Sequence, residues 1–386
     1  MAKTKEMGLE HVIKLGITSV RDIRGIYSEL ARKYGQVKAI EIMEYLTDED
    51  NPLSIYDRKN KDYDTAMIFS GGYDADIVRK ACNWVYEHRE CFGDEILEVG
   101  CDCGFMTTFL AKIFPDKHIT AIDRNQSGIE IAKKNVEKFG LNNVSFICID
   151  LLELKDKQFD TVFSMRTMQE NGRSNEEEDC SNELITQANI FTNEKQEYAN
   201  SLSSLIKEDG NLISIERLGH NAMLLAWIQV LTNAGLKIDL ESYSELSCTE
   251  VGELNTFECL IFNKTDTADV NVYMSFMNCF AAYNDTSLPQ YYDWDAKIMY
   301  EYTRGKLFEG YEVEDTKNNT KTRIVCCEHK KDNTCILCYQ NKNGNVQLEY
   351  HDISELQDIT ATFRTAVKEV ENIDYINVVS LKEENN

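Results

Sequence analysis

Three acidic side chains punctuate three consecutive apolar runs. Glu98 lies inside the run 96–99, Asp123 closes the run 118–122, and Asp150 comes after the run 144–148. A carboxylate at a strand end accepts hydrogen bonds from hydroxyls or amino groups, and Asp123 is placed to take both ribose hydroxyls of a nucleoside. Between Glu98 and Asp123 stands Gly100-Cys101-Asp102-Cys103-Gly104, then apolar side chains at helical spacing from Phe105 to Phe114. A strand, a glycine turn and a helix set backbone N–H groups and a helix N-terminus at the strand's carboxyl end. Nucleotide-like ligands sit there in doubly wound α/β sheets. Dinucleotide-binding dehydrogenases use a similar turn, so the turn alone does not decide the ligand.

The residues beyond the turn narrow the choice. Asp123 comes about twenty residues later, then Asp150-Leu151, then the run Phe159-Asp160-Thr161-Val162-Phe163-Ser164. In order and spacing this set resembles the class I S-adenosylmethionine (SAM) dependent methyltransferases, whose turn reads acidic-x-Gly-x-Gly-x-Gly. Glu98, Gly100 and Gly104 match. Asp102 stands where the middle glycine is usual, and Asp tolerates positive φ better than most side chains. The resemblance implies SAM as cofactor. It implies that Asp123, beside Arg124, meets the ribose, and that Asp150 meets the adenine amino group with backbone contacts from Leu151. Glu98, Gly100, Cys101, Gly104 and Ser164 complete the implied cofactor site, and Tyr73 is a candidate to close over it. A helix-capping or surface carboxylate is the plainer reading of each acid, and Glu153 is an alternative to Asp150.

The elements that must position these residues read as an α/β fold with a doubly wound seven-stranded core. Residues 1–71 form a helical N-terminal lid: Ile23, Ile26, Tyr27, Leu30 and Tyr34 share one face, and Ile40, Met43 and Leu46 continue after Gly35. The stretch 48–64 is polar, contains Pro52, and reads as a loop. An amphipathic helix over 73–91 leads into the core, 72–264, with helices at 104–114, 126–139, 182–206 and 220–234. Its fifth strand is expected at 211–216 and a closing hairpin at 237–246 and 256–263. Residues 265–386 read as a smaller α+β domain: helices at 273–283 and 291–302, a meander over 310–350, and a closing helix at 354–370.

The segment Met165 to Asn171 leaves the fourth strand on the side where an acceptor would stand. Arg166, Gln169 and Glu170 are acceptor-site candidates. Arg166 can clamp a carboxylate or phosphate, or form an ion pair with Glu170 or the acidic run 176–179. His220, just after the fifth strand, is the candidate base, against the ordinary role of a helix-starting histidine. Aligning a nucleophile with the sulfonium supplies much of the rate without a base. Cys101 and Cys103 read as small apolar fillers. Cys326, Cys327, His329, Cys335 and Cys338 suggest zinc by type, but strand alternation puts Cys326 and Cys327 on opposite faces, and likewise Cys335 and Cys338; no metal is expected.

Composition limits the partners. The chain has 386 residues, with 66 acidic against 41 basic, a formal charge of −25. Such a field repels phosphate backbones, so nucleic acid is not expected. No run approaches the about 18 apolar residues of a membrane span, and no signal-peptide pattern opens the sequence. Thirteen cysteines, an odd number, suit a reducing cytosol. The expected protein is a cytoplasmic methyltransferase acting on a small molecule at O, N or C. A protein or peptide methyltransferase with a C-terminal docking domain, and a SAM-binding regulatory protein without turnover, are the alternatives.

Overall fold

Short apolar runs separated by glycine and polar turns give the middle of the chain a strand–helix alternation. The computed structural model describes all residues except 1–5, 18, 21, 49, 52, 156, 169–183, 219–220, 265–271, 284–297, 299–300, 302–304, 330–332 and 382–386. Two compact units are present, Met1–Ser275 and Phe276–Asn386.

The first unit opens with helices α1 (Met7–Leu15), α2 (Ile23–Tyr34), α3 (Gln36–Thr47), α4 (Ile55–Lys59), α5 (Tyr63–Tyr73) and α6 (Ala75–Glu87). The core continues as β1 (Glu95–Val99), α7 (Phe105–Ile113), β2 (His118–Asp123), α8 (Gln126–Phe139), β3 (Val144–Cys148) and β4 (Phe159–Met165). Then come α9 (Leu184–Ser204), β5 (Ile206–Glu216), α10 (Asn221–Asn233), β6 (Leu236–Glu250) and β7 (Glu253–Lys264). The seven strands order as β3-β2-β1-β4-β5-β7-β6. Strands β1 to β5 pair in parallel and β7 runs antiparallel between β5 and β6. The chain order reverses between β1 and β4, which leaves a crevice at their carboxyl ends. Ile96, Leu97, Val162 and Phe163 are fully buried, as expected of central parallel strands covered on both faces.

The stretch 48–64 is not simply a loop. Ser54 caps α4, accepting from the Asp57 N–H at 3.1 Å, and Asp62 caps α5, accepting from the Thr65 N–H at 2.8 Å. Five residues are too few for α4 to show a helical period. The amphipathic helix expected over 73–91 is α6, shorter than expected at Ala75–Glu87 and followed by a 3₁₀ turn at Arg89–Cys91, and the preceding α5, which the sequence did not show, ends at Tyr73 just before it. Strand β5 begins earlier than expected, at Ile206, and crosses a register shift opposite Phe159–Thr161. The closing hairpin is longer than expected and turns through Val251 and Gly252, both at positive φ.

Helix α11 (Val272–Tyr283) runs across the chain position of the division between the units. The second unit holds β8 (Lys306–Asp315), β9 (Thr320–His329), β10 (Thr334–Gln340), β11 (Val346–Asp352), α12 (Leu356–Val370) and β12 (Ile376–Leu381). Its antiparallel sheet orders as β11-β10-β9-β8-β12. The meander and closing helix match the sequence pattern, whereas β12 was not expected. Most of the helix expected at 291–302 lies outside the described residues. Cys326 and Cys335 pack with Leu356, and among the described residues no three His, Cys, Asp or Glu side chains gather as a metal site.

Helix α1 is fastened to the core by a buried histidine. His11 Nε2 lies 2.8 Å from the Phe105 carbonyl oxygen, and its ring meets Phe109 edge-on at 5.1 Å. Burial drives the imidazole from 6.5 down to about 4, opposed by the bond to Phe105 and aided by the charges of Lys112 and Lys14. The unfolded chain therefore takes a proton that the folded chain refuses. The resulting stability is complete above pH 6.5 and is lost as pH falls toward 4, by at most about 3 kcal/mol. Urea unfolding of the parent and of His11→Gln across that interval should show a shallower loss in the variant; parallel curves would dismiss His11 as the cause.

Candidate functional site

The turn after β1 is held by backbone bonds to the neighbouring strand. The N–H groups of Gly100 and Cys101 both donate to the Ile122 carbonyl, at 2.9 and 3.0 Å, and the Gly104 N–H returns to the Cys101 carbonyl at 2.7 Å. Gly100, Asp102 and Gly104 all have positive φ: 71°, 41° and 72°. A Cβ on Gly100 would lie 2.5 Å from Thr167 Cγ2, and one on Gly104 would lie 2.6 Å from Ala132 Cβ. Both glycines are thus required by conformation and by space. Asp102 occupies the remaining left-handed position, as the sequence suggested it could.

Asp123 ends β2 beside this turn. Its Oδ2 accepts from the Asp102 N–H at 2.8 Å and its Oδ1 from the Asn125 N–H at 2.7 Å. One bond on each oxygen leaves a lone pair on each for a ligand. Burial raises the Asp123 carboxyl from its usual range, and the Asp102 charge adds to this, against the two backbone donors. Asn125 then caps α8, accepting from the Gly128 N–H at 2.6 Å.

These residues line a cavity of about 420 Å³ at the carboxyl ends of β1, β2 and β4. Gly100, Asp123, Arg124, Asp150, Leu151 and Arg166 from the sequence-derived set are all on its wall, joined by Ser54, Tyr56 and Asp57 from the start of α4. A smaller cavity of about 90 Å³ adjoins it, sharing Tyr56, Val99, Gly100, Asp102 and Arg166, and reaching Glu98 and Cys101. Gly104 shapes the turn and lines neither cavity. Ser164 is buried behind the wall, donating to Glu216 Oε1 at 2.8 Å. Tyr73 stacks on Phe69 at 4.5 Å and is not among the lining residues of these two cavities. His220, Gln169 and Glu170 lie outside the described residues.

Sequence reasoning missed Lys59. Its side chain is 4 % exposed, with Nζ 2.6 Å from Asp102 Oδ2 and 3.8 Å from Asp74 Oδ2. Burial works against its charge, but the Asp102 and Asp74 carboxylates outweigh that and raise its pKa. Asn60 adds a second bond to Asp102, at 2.7 Å. The departure from glycine at Asp102 is thereby explained: its carboxylate receives the helices that precede the core. The signal available in the sequence was the coincidence of an unexpected acid in the turn with the basic cluster Arg58-Lys59 upstream.

For Arg166 the structure gives an ion pair with Asp74 and Glu250, while Glu170 and the acidic run 176–179 lie outside the described residues. It donates to Asp74 at 2.6 Å and reaches Glu250 at 3.3 Å; Glu250 also pairs with Arg217. Behind it, Glu216 organises the end of β4. It accepts from Ser164, from Thr167 Oγ1 at 3.3 Å and from the Met168 N–H at 3.1 Å, and Tyr198 lies 2.6 Å from Thr167 Oγ1. Burial pushes the Glu216 carboxyl up to about 7 against these donors.

A parallel sheet reversing at β1 and β4, a left-handed glycine turn, and carboxylates at the ends of successive strands define a class I methyltransferase-type domain. Residues 92–260 match the family model of the methyltransferase domain, and that segment is a methyltransferase domain. A second family model, protein-L-isoaspartate(D-aspartate) O-methyltransferase, matches residues 31–152. Among curated proteins, the malonyl-[acyl-carrier protein] O-methyltransferase of Priestia megaterium is 44% identical over 75 residues, 19% of this chain and 26% of that protein. Its counterpart from Bacillus cereus is 40% identical over 83 residues, 21% of this chain and 30% of that protein. The chain thus spans between a quarter and a third of the length of these relatives. The structure of the N-methyltransferase NodS from Bradyrhizobium japonicum is 14% identical, covering 59% of this chain and 98% of that one, with a TM-score of 0.37.

The Lys59–Asp102 pair can be tested against the family pattern. Asp102→Gly restores the usual glycine and relieves the positive φ, yet it removes the nearest counter-charge of a buried ammonium. It should destabilise the chain by about 3 kcal/mol, the lower end for breaking a buried pair. Adding Lys59→Met should recover most of that loss. Chemical unfolding of the two single variants and the double would measure this; additive effects would show that the pair does not couple.

Proposed function

We propose that the chain is a SAM-dependent methyltransferase acting on a small-molecule acceptor. The observation that carries the reading is Asp123. Both of its oxygens are already fixed by backbone donors, and both retain a lone pair beside a cavity of about 420 Å³. That volume lies within the range of drug-sized ligand sites.

The donor set fits SAM. Asp123 would hold the ribose hydroxyls, Asp150 with the Leu151 backbone the adenine amino group, and the acids of the smaller cavity the cationic amino-acid end. SAM supplies a methyl group already activated on a sulfonium. The chain's own contribution is to fix the adenosine end rigidly and to shape the space beside Thr167 and Arg166. Holding two reactants in line there supplies much of the rate. From their place in the sequence, His220 and Glu170 are proposed for proton handling.

The neighbouring methyltransferases differ in acceptor. Names among the partial matches include an acyl-carrier-protein methyltransferase, a tetrahydroprotoberberine N-methyltransferase and a release factor glutamine methyltransferase. Acceptor choice therefore rests on residues outside the shared segment, and the concave site supports a small molecule. A protein-borne acceptor is the second reading, favoured by the protein methyltransferase family model over residues 31–152. The acidic charge and the absence of a membrane-length apolar helix among the described residues add no support for nucleic acid or bilayer partners. A cytoplasmic location is proposed from the cysteine content.

Incubation with methyl-labelled SAM and host extract, fractionated into small molecules, protein and nucleic acid, tests the reading. Label is expected among small molecules; label confined to protein would select the second reading. Asp123→Ala should weaken SAM binding by about 1–3 kcal/mol while the fold persists, because the residue ends its strand at the cavity edge. Calorimetry giving equal affinity for a folded variant would place the ribose partner elsewhere.

A further inference from the structure

The smaller cavity contains a buried acid without a counter-charge. Glu98 is 3 % exposed, and its Oε2 has no hydrogen-bond partner among the described residues. The other acids around this space are matched: Asp102 by Lys59, and Asp74 by Arg166 at 2.6 Å. No Lys or Arg pairs with Glu98 among the described residues. An unpaired buried carboxylate is costly, so the group is held as the neutral acid. Burial pushes it from 4.5 up to about 8, and the Asp123 charge from β2 adds to this, while Thr107 on α7 opposes it. The remaining titratable groups facing it are the thiols of Cys101 on the turn and Cys82 on α6. Asp74, Asp102 and Arg166 close the cavity around it.

A neutral acid at the end of an acidic cavity is poorly matched to an empty site and well matched to an arriving cation. The space, about 90 Å³, exceeds the roughly 10–15 Å³ needed to admit a single water and is enough for a primary ammonium. The cavity opens beside the wall where the adenosine end is proposed to lie. SAM and its demethylated product, S-adenosylhomocysteine, both carry an α-ammonium.

We infer that ligand binding at this site is proton-coupled: Glu98 releases its proton to solvent as the ligand's ammonium enters the smaller cavity, and the new carboxylate becomes that ammonium's counter-charge. No covalent bond other than the Glu98 O–H changes, and the proton goes to buffer. The inference rests on the proposed function and deepens it. Affinity then depends on pH with a definite sign. Below about pH 8 the free protein binds one more proton at Glu98 than the complex does, so affinity rises with pH, about tenfold per unit between pH 6 and 7.5. Above that range the dependence from Glu98 disappears.

Calorimetric titration of the full chain at pH 6.8, in phosphate and in Tris, reads the released proton directly. S-adenosylhomocysteine should release close to one proton. 5′-Methylthioadenosine, which has the adenosine and sulfur but no ammonium, should release none. Glu98→Gln should abolish both the release and the pH dependence of S-adenosylhomocysteine affinity. If that variant fails to fold, the contrast between the two ligands on the parent protein still decides. Binding of S-adenosylhomocysteine with buffer-independent heat overturns the coupling and leaves the proposed function standing. Equal proton release with both ligands overturns it too, since the ammonium would not be the trigger. Absence of binding by SAM and S-adenosylhomocysteine alike overturns the proposed function and this inference with it.

Discussion

An ammonium group with almost no solvent access must have an acid against it, and the first unit is organised around that requirement. Lys59 leaves α4 and is buried between Asp102 on the nucleotide-type turn and Asp74 between α5 and α6. Desolvating the lysine is unfavourable in isolation, and what makes it tolerable is the geometry of two carboxylates and the bonds of Asn60. Such a pair contributes modestly to net stability. It does specify position, because an alternative docking of α4 would leave Lys59 or Asp102 unmatched.

The same logic runs along the cavity. Asp102, Lys59, Asp74, Arg166, Glu250 and Arg217 alternate in sign and join the turn, the N-terminal helices, the end of β4 and the β6–β7 hairpin. Arg166 is thereby committed to structure. Its positive φ, 59°, turns the chain sharply at the end of β4, and Glu216 fixes the residues after it through Thr167 and the Met168 N–H. Arg166 therefore shapes the wall of the cavity, and a role as an anion clamp would require it to leave two carboxylates. Beside these matched charges, Glu98 is a buried acid with no counter-charge among the described residues.

Much of the core was legible because its signals are local. Buried parallel strands must be short apolar runs, a left-handed turn must be glycine or a tolerant substitute, and Asp123 must come at the end of its own strand. These constraints act within a few residues of one another, so Gly100, Asp123, Arg124, Asp150 and Leu151 were assigned together and are found around one cavity. Element ends were less legible. Strand β5 extends through a register shift set by its neighbour β4, and β12 forms because β8 offers an edge.

The sequence by itself determined the order of strands and helices from 95 to 165, the turn and the acid at the end of β2. Tertiary structure alone decided the contents of the cavity wall. Helix α4 is five residues long and carries no readable period, yet it brings Tyr56 and Asp57 to the site. Arg166 finds Asp74, 92 residues away. Tyr73 turns to Phe69 and Ser164 to Glu216. Each choice is made by burial: once a charged or polar side chain leaves water, its partner is whichever group the packed elements place within reach, and sequence separation no longer matters.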